Sequence, residues 1–205
     1  MSDLTGDEDG SRAAKIALRS RLITARRALT LSDRSALASR LQDQILAVVR
    51  REHPSTIAAY VPVGPEPGGP GLPTILAEHA RVLLPVLLPS LDLDWAEFTG
   101  ALVPGPRGLL EPTGPRLGVA GLTTADLVLV PALAVDRSGN RTGRGGGSYD
   151  RALARLAGAR PPILALLHDG ELVDKVPAEP HDRPVHGVIT PRGGLTLNRA
   201  AEWTK

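Results

Sequence analysis

Residues 141–151, R-T-G-R-G-G-G-S-Y-D-R, crowd four glycines, three arginines, a tyrosine and an aspartate into eleven positions. Glycine reaches positive φ without strain and has no side chain to hold a ligand off the backbone. Successive N–H groups at Gly143, Gly145, Gly146 and Gly147 can therefore curl around an anion. Arg141, Arg144 and Arg151 add full positive charges. The segment lies between an expected strand and an expected helix, whose positive end would face the same spot. Such a loop suits a polyphosphate. It is not a Walker A loop, because G-K-[ST] is missing, and its G-x-G-G-G spacing is not the dinucleotide fingerprint. A flexible surface turn explains a bare glycine run equally well. The arginines, Tyr149 and Asp150 packed around it favour the phosphate site.

Asp150 falls just inside the expected helix. An acid there complements the helix dipole. It is also a hard oxygen ligand of the kind taken by the magnesium that accompanies ATP, which uses one or two protein carboxylates plus phosphate oxygens. Asp182, in the H-D pair at 181–182, is the candidate second ligand, on a loop beyond a later strand. The five histidines show no H-E-x-x-H spacing, so no zinc site is expected. With no cysteine there are no disulfides or thiolate metal sites.

The elements that must position these residues follow from periodicity. Residues 12–29 predict a helix with Leu18, Leu22, Ala25 and Leu29 on an apolar stripe and Lys15, Arg19 and Arg26 on a neighbouring basic face. A second helix is expected from an N-cap at Ser32 to about Arg51, burying Leu37, Leu41, Ile45 and Val48. Residues 56–63 read as a buried strand, 64–71 as a turn-rich loop and 72–79 as a short helix. The run 81–88 is strand-like, with Pro85 expected to end or bulge it. Residues 95–98 suggest an edge strand and 99–121 a surface loop. Leu127–Val130 is the clearest buried strand, and 163–167 and 185–190 are two more. Helix is expected again over 149–156.

Short apolar strands separated by helices predict an α/β fold: a single three-layer domain with a mostly parallel central sheet and helices on both faces. It is expected to span residues 11–205, after a disordered acidic tail over 1–10. Aromatics are only 2% of the chain, so the core must come from Leu, Val, Ile and Ala. A net charge of +2 lacks the clustered excess of a nucleic-acid binder. No apolar run approaches the roughly 20 residues needed to span a bilayer. The acidic first ten residues are unlike a secretion signal. A cytoplasmic monomer acting on small molecules, without nucleic-acid or membrane partners, is expected.

The string V-P-A-L-A-V-D-R-S-G-N-R-T-G-R-G-G-G-S-Y-D-R at 130–151 resembles the signature of the 5-formyltetrahydrofolate cyclo-ligases, also called 5,10-methenyltetrahydrofolate synthetases. K-I-A-L-R at 15–19, Y-V-P-V-G-P-E at 60–66 and V-P-A-E-P-H-D-R-P-V-H-G-V-I-T at 176–190 resemble further segments in order and spacing. The resemblance implies ATP-driven cyclisation of 5-formyltetrahydrofolate to 5,10-methenyltetrahydrofolate, with release of ADP and phosphate. It implies that Lys15 and Arg19 hold ATP phosphates, with Arg141, Gly143, Arg144, Gly145, Gly146, Gly147, Ser148 and Tyr149. It further implies that Val61, Glu66 and residues 144–148 border the folate, that Arg144 and Tyr149 serve catalysis, and that Asp150 and Asp182 hold Mg2+. Ser148 stands where the family has the first of two adjacent tyrosines, and Pro67-Gly68-Gly69 replaces its usual acidic or hydroxyl residues. Two other readings fit the same residues: an ATP-binding paralogue with altered or lost folate activity, and a non-catalytic phosphate- or nucleic-acid-binding module.

Overall fold

Consecutive strand residues alternate between two faces, and here both faces are apolar, as a sheet covered on each side requires. The structure, a computed structural model, describes residues 5–156, 161–177 and 183–198, with side chains from residue 13 onward. The chain runs through α1 (Thr5–Ala28), α2 (Leu31–Glu52), β1 (Thr56–Ala58), α3 (Leu72–Ala77), β2 (Arg81–Leu87) and β3 (Leu93–Glu97). Then come β4 (Leu102–Pro104), β5 (Leu110–Pro112), β6 (Arg116–Gly118), β7 (Leu127–Pro131), β8 (Ala134–Asp136) and β9 (Arg141–Thr142). The series ends with α4 (Ser148–Ala154), β10 (Ile163–Leu166), β11 (Leu172–Val173), β12 (Gly187–Thr190) and β13 (Gly194–Leu197).

The main sheet has the order β13-β12-β10-β7-β1-β2-β3-β6. Its middle, β12-β10-β7-β1-β2, is parallel, and β13, β3 and β6 are antiparallel additions at the two sides. Ile57, Val82, Leu84, Leu127, Leu129, Leu164 and Leu166 face Leu41, Ile45 and Val48 of α2 and Leu72 and Leu76 of α3. Ala58, Leu83, Val128, Val130, Ile163 and Ala165 face Ala152 and Leu153 of α4 on the other side. This is the expected three-layer α/β arrangement. A smaller sheet, β11-β8-β9, packs Leu133, Ala134 and Val176 against Leu22 of α1.

Several expectations need correction. Residues 5–10, expected in a disordered tail, are the first turns of α1. The N-cap of α2 is Thr30, whose hydroxyl accepts from Asp33 N at 3.1 Å, not Ser32. On α1, Ala25 is exposed while Lys15 and Arg26 are buried, so the basic residues share the buried face with Leu22. Residues 99–121 form the β4–β5 hairpin and the edge strand β6, and β3 is therefore internal. The strand expected over 56–63 is regular only to Ala58.

Pro85 neither ends nor bulges β2. Phe98 N donates to Val82 O, so even-numbered residues of β2 turn their backbone toward β3. Pro85 and Leu87 turn theirs toward β1, which has already stopped at Ala58. Proline has no N–H to satisfy there, and the Leu87 N–H is taken by Glu111 Oε1 at 3.0 Å. The overhang of β2 past β1 thus leaves no orphan donor and opens a space beside it.

Candidate active site

That space is a cavity of about 300 Å³ at the carboxyl ends of β1, β2 and β7. Strand order reverses here: from β1 the chain builds toward β2 and β3, then returns to place β7 on the other side. Open parallel sheets hold their ligands at such reversals.

One end of the cavity is cationic. Packing α1 on the small sheet brings Lys15, Arg19 and Arg26 to its wall, and β9 delivers Arg141 and the glycine loop opposite. Gly145 has φ 96, and a Cβ there would lie 3.3 Å from Arg19 Nη1. Gly147 has φ 66, with a virtual Cβ 3.0 Å from Arg151 Nη1. Both positions favour glycine for their left-handed backbone conformation. Arg19 Nε is buried without a partner among the described residues. The helix after the loop has only seven residues, so the positive potential here comes from side-chain cations more than from a helix dipole.

Arg141 Nη2 donates to Asp150 Oδ1 at 2.6 Å. Its guanidinium lies 5.9 Å from the centre of the Tyr149 ring, within cation–π range. Only Oδ1 of Asp150 is engaged among the described residues. The other oxygen, on the cavity wall, is the type of donor a hard divalent cation takes. Asp182 lies outside the described residues. Among those described, no three His, Cys, Asp or Glu side chains gather as a metal-binding group.

The other side of the cavity carries Tyr60, Val61 and Glu66 on the loop after β1. Glu66 Oε2 accepts from Val63 N at 2.9 Å, and Oε1 lies 3.1 Å from Arg144 Nη2. The acid of one loop and a cation of the glycine loop are therefore partners across the cavity mouth. Arg144 is 62% exposed and Glu66 only 13%, so Arg144 is the member able to move. The Tyr149 hydroxyl is buried and has no partner among the described residues. Burial, then the nearby Glu66 charge, push its pKa well above the usual phenol value, while Arg141 pulls the other way. The phenol stays protonated, a hydrogen-bond donor without an acceptor.

Five residues outside the expected set hold this arrangement. Arg26 makes a two-pronged pair with Glu171, Nε to Oε1 and Nη2 to Oε2, each 2.7 Å, and also donates to Ala132 O. Glu171 Oε2 accepts from His168 N at 2.7 Å, and His168 Nε2 sits 3.0 Å from Pro65 O, the residue before Glu66. Tyr60 donates to Pro67 O and Gln42 to Gly68 O, each 2.7 Å. The folded loop 62–68 is thus tied at Pro65, Pro67 and Gly68. Local sequence carried no sign of the Arg26–Glu171 contact, whose partners are 145 positions apart.

Apart from Asp182, every expected site residue lines the one cavity: Lys15, Arg19, Val61, Glu66, Arg141 and Gly143 through Asp150. A parallel sheet whose switch point holds a cation-lined glycine loop against an acid-bearing loop has the architecture of an α/β enzyme for phosphate-bearing small molecules. The chain belongs to the 5-formyltetrahydrofolate cyclo-ligase family, whose model matches residues 11–191, and it is a ligase. Over 151 residues it is 48% identical to the 5-formyltetrahydrofolate cyclo-ligase of Mycolicibacterium smegmatis, covering 70% of this chain and 77% of that one. It is 35% identical over 115 residues to the enzyme of that name from Escherichia coli strain K12, covering 54% and 63% of the two chains. The fold is shared with the NMR structure of Aquifex aeolicus 5,10-methenyltetrahydrofolate synthetase, at a TM-score of 0.77 and 22% identity over 93% of this chain and 96% of that one. It is shared also with a synthetase of that name from Mycoplasma pneumoniae, at 0.67 and 20% over 85% and 96%. The resemblance read from four segments of the sequence is borne out.

Proposed function

We propose that this chain closes 5-formyltetrahydrofolate to 5,10-methenyltetrahydrofolate at the expense of ATP, in the cytoplasm and as a monomer. The observation that carries the reading is the Glu66–Arg144 pair, which joins a folate-suited loop to a polyphosphate-suited one over a single cavity. An amide oxygen is a weak nucleophile, so placement in line with the γ-phosphorus matters more than a general base. The formyl oxygen bonds to that phosphorus as the bond to ADP breaks. The activated carbon is then attacked by the second folate nitrogen, and phosphate leaves with the former formyl oxygen.

Lys15, Arg19 and the backbone of the glycine loop hold the ATP phosphates, and Arg144 reaches the transferring group. As Arg144 turns to phosphate it gives up Glu66, whose freed Oε1 then accepts from the pterin beside Val61. Gly145, Gly146, Gly147 and Ser148 border both ligands, and the Tyr149 hydroxyl donates a hydrogen bond to an oxygen of one of them. Asp150 together with Asp182 would hold Mg2+, which draws charge from the phosphate oxygens when bound. The assay is direct: purified protein, magnesium-ATP and 5-formyltetrahydrofolate, followed by the near-ultraviolet absorbance of the methenyl product. No product at high enzyme concentration overturns the reading, and ATP binding without turnover assigns the cavity to a different acceptor. Asp150→Ala is expected to abolish turnover with the fold retained.

A further inference from the structure

One part of the cavity wall is left unused by this chemistry. It is apolar, built from Pro85 and Leu87 of β2, Leu93 of β3, and Leu109 and Leu110 where the β4–β5 hairpin turns back. The hairpin tip adds one cation to this part of the lining, Arg107.

The tip is a built structure. Gly105 N donates to Leu109 O at 2.8 Å, closing the turn. Arg107 within it has φ 59, a left-handed conformation that L side chains adopt at a cost. A Cβ on Gly105 would lie 2.6 Å from the Glu111 carboxyl carbon, so a larger residue there would displace that side chain. Glu111 is the residue that caps Leu87 N, pinning the hairpin to the overhang of β2. Arg107 makes no ion pair or hydrogen bond among the described residues, whereas other partly exposed arginines do: Arg81 with Glu97, Arg116 with Asp94, Arg155 with Asp92. Leu110 beside it is 40% exposed. An exposed cation without an anion, in a wall shared with apolar side chains, matches a ligand with a flat apolar body and a terminal carboxylate.

We propose that Arg107 and the Leu109–Leu110 wall form the subsite for the aryl-carboxylate tail of the acceptor. This rests on the folate reading above, in which a p-aminobenzoyl ring followed by glutamate extends outward from the reacting pterin. Arg107 selects the tail and takes no part in the transfer. Because it is solvent-exposed, its contact with carboxylate is screened, and a moderate effect follows.

Steady-state kinetics of Arg107→Ala, Arg107→Lys and the unchanged protein test this with 5-formyltetrahydrofolate and with a 5-formyltetrahydropterin lacking the aminobenzoyl-glutamate. Arg107→Ala is expected to raise the KM for the folate by roughly tenfold, with Arg107→Lys recovering part of the loss. The tail-less substrate should be handled alike by all three proteins. An unchanged folate KM, or an equal loss with the tail-less substrate, overturns the subsite. Turnover of neither substrate by the unchanged protein overturns the folate reading instead. In that case saturation-transfer NMR with p-aminobenzoyl-glutamate alone still decides the subsite: it requires binding that Arg107→Ala weakens, and no binding refutes it.

Discussion

Replacing Tyr149 with phenylalanine should make the protein more stable and less active. The hydroxyl is buried with no partner among the described residues. Such a group carries a desolvation cost of about 1–3 kcal/mol. Phenylalanine removes that cost and keeps the ring that faces Arg141 at 5.9 Å. At about 2–4 °C per kcal/mol for a chain of this size, the low end of the range raises Tm by about 2–4 °C. In the proposed reaction the same hydroxyl would donate to a phosphate or carbonyl oxygen. Losing a hydrogen bond to a charged group costs about 1.5–3 kcal/mol, roughly a 10- to 100-fold fall in kcat/KM. Since burial and Glu66 hold the phenol protonated, the loss should be the same across neutral and mildly alkaline pH. Thermal melts and kcat/KM over that range provide the check. A lower Tm with unchanged kcat/KM would show that the hydroxyl only packs, and would refute the reasoning.

Arg26→Met strands Glu171 as a buried charge, so a stability loss of about 3–5 kcal/mol is expected from urea unfolding; a loss under about 1 kcal/mol would mean that water reaches the pair. Ser148→Tyr places an aromatic face in the cavity wall and should lower the KM for the folate substrate, and an unchanged value removes position 148 from the contacts. His186 is half-buried and its Nδ1 accepts from Ile163 N at 3.0 Å, so its pKa lies below the usual value, chiefly through desolvation. The unfolded chain then binds the proton first. Stability should fall as pH drops below about 6.5 and level off below the folded-state pKa. His186→Gln should flatten that part of the profile, and an unaltered slope would exclude His186 as its source.

Legibility in the sequence followed the length and continuity of each pattern. The strands β7 and β10 are runs buried on both faces, and α2 repeats its apolar residues over six turns, so both kinds announce themselves. The β4, β5 and β6 strands have three residues each and carry Pro104, Pro112 and Gly118, which read as loop. On α1 the spacing allowed two adjacent faces. The fold chose the one with Lys15 and Arg26 inward, because their charges meet the cavity and Glu171. The site was readable where its residues are neighbours in the chain, as with Arg141 and Asp150. His168, Glu171 and Arg107 enter it through contacts between distant segments, which leave no local pattern.

The Arg26–Glu171 contact also sets a timetable. Its partners are 145 residues apart, and at about 5–20 residues per second of synthesis Arg26 exists for roughly 7–30 seconds before Glu171 is made. Through that interval α1 has neither its buried counter-charge nor β11, the last strand of its docking sheet, and the cavity lacks its cationic wall. A nascent chain stopped short of residue 171 would hold the finished glycine loop yet lack the buried partner of Arg26. The buried pairing of α1 in this protein therefore waits for the segment that carries His168 and Glu171.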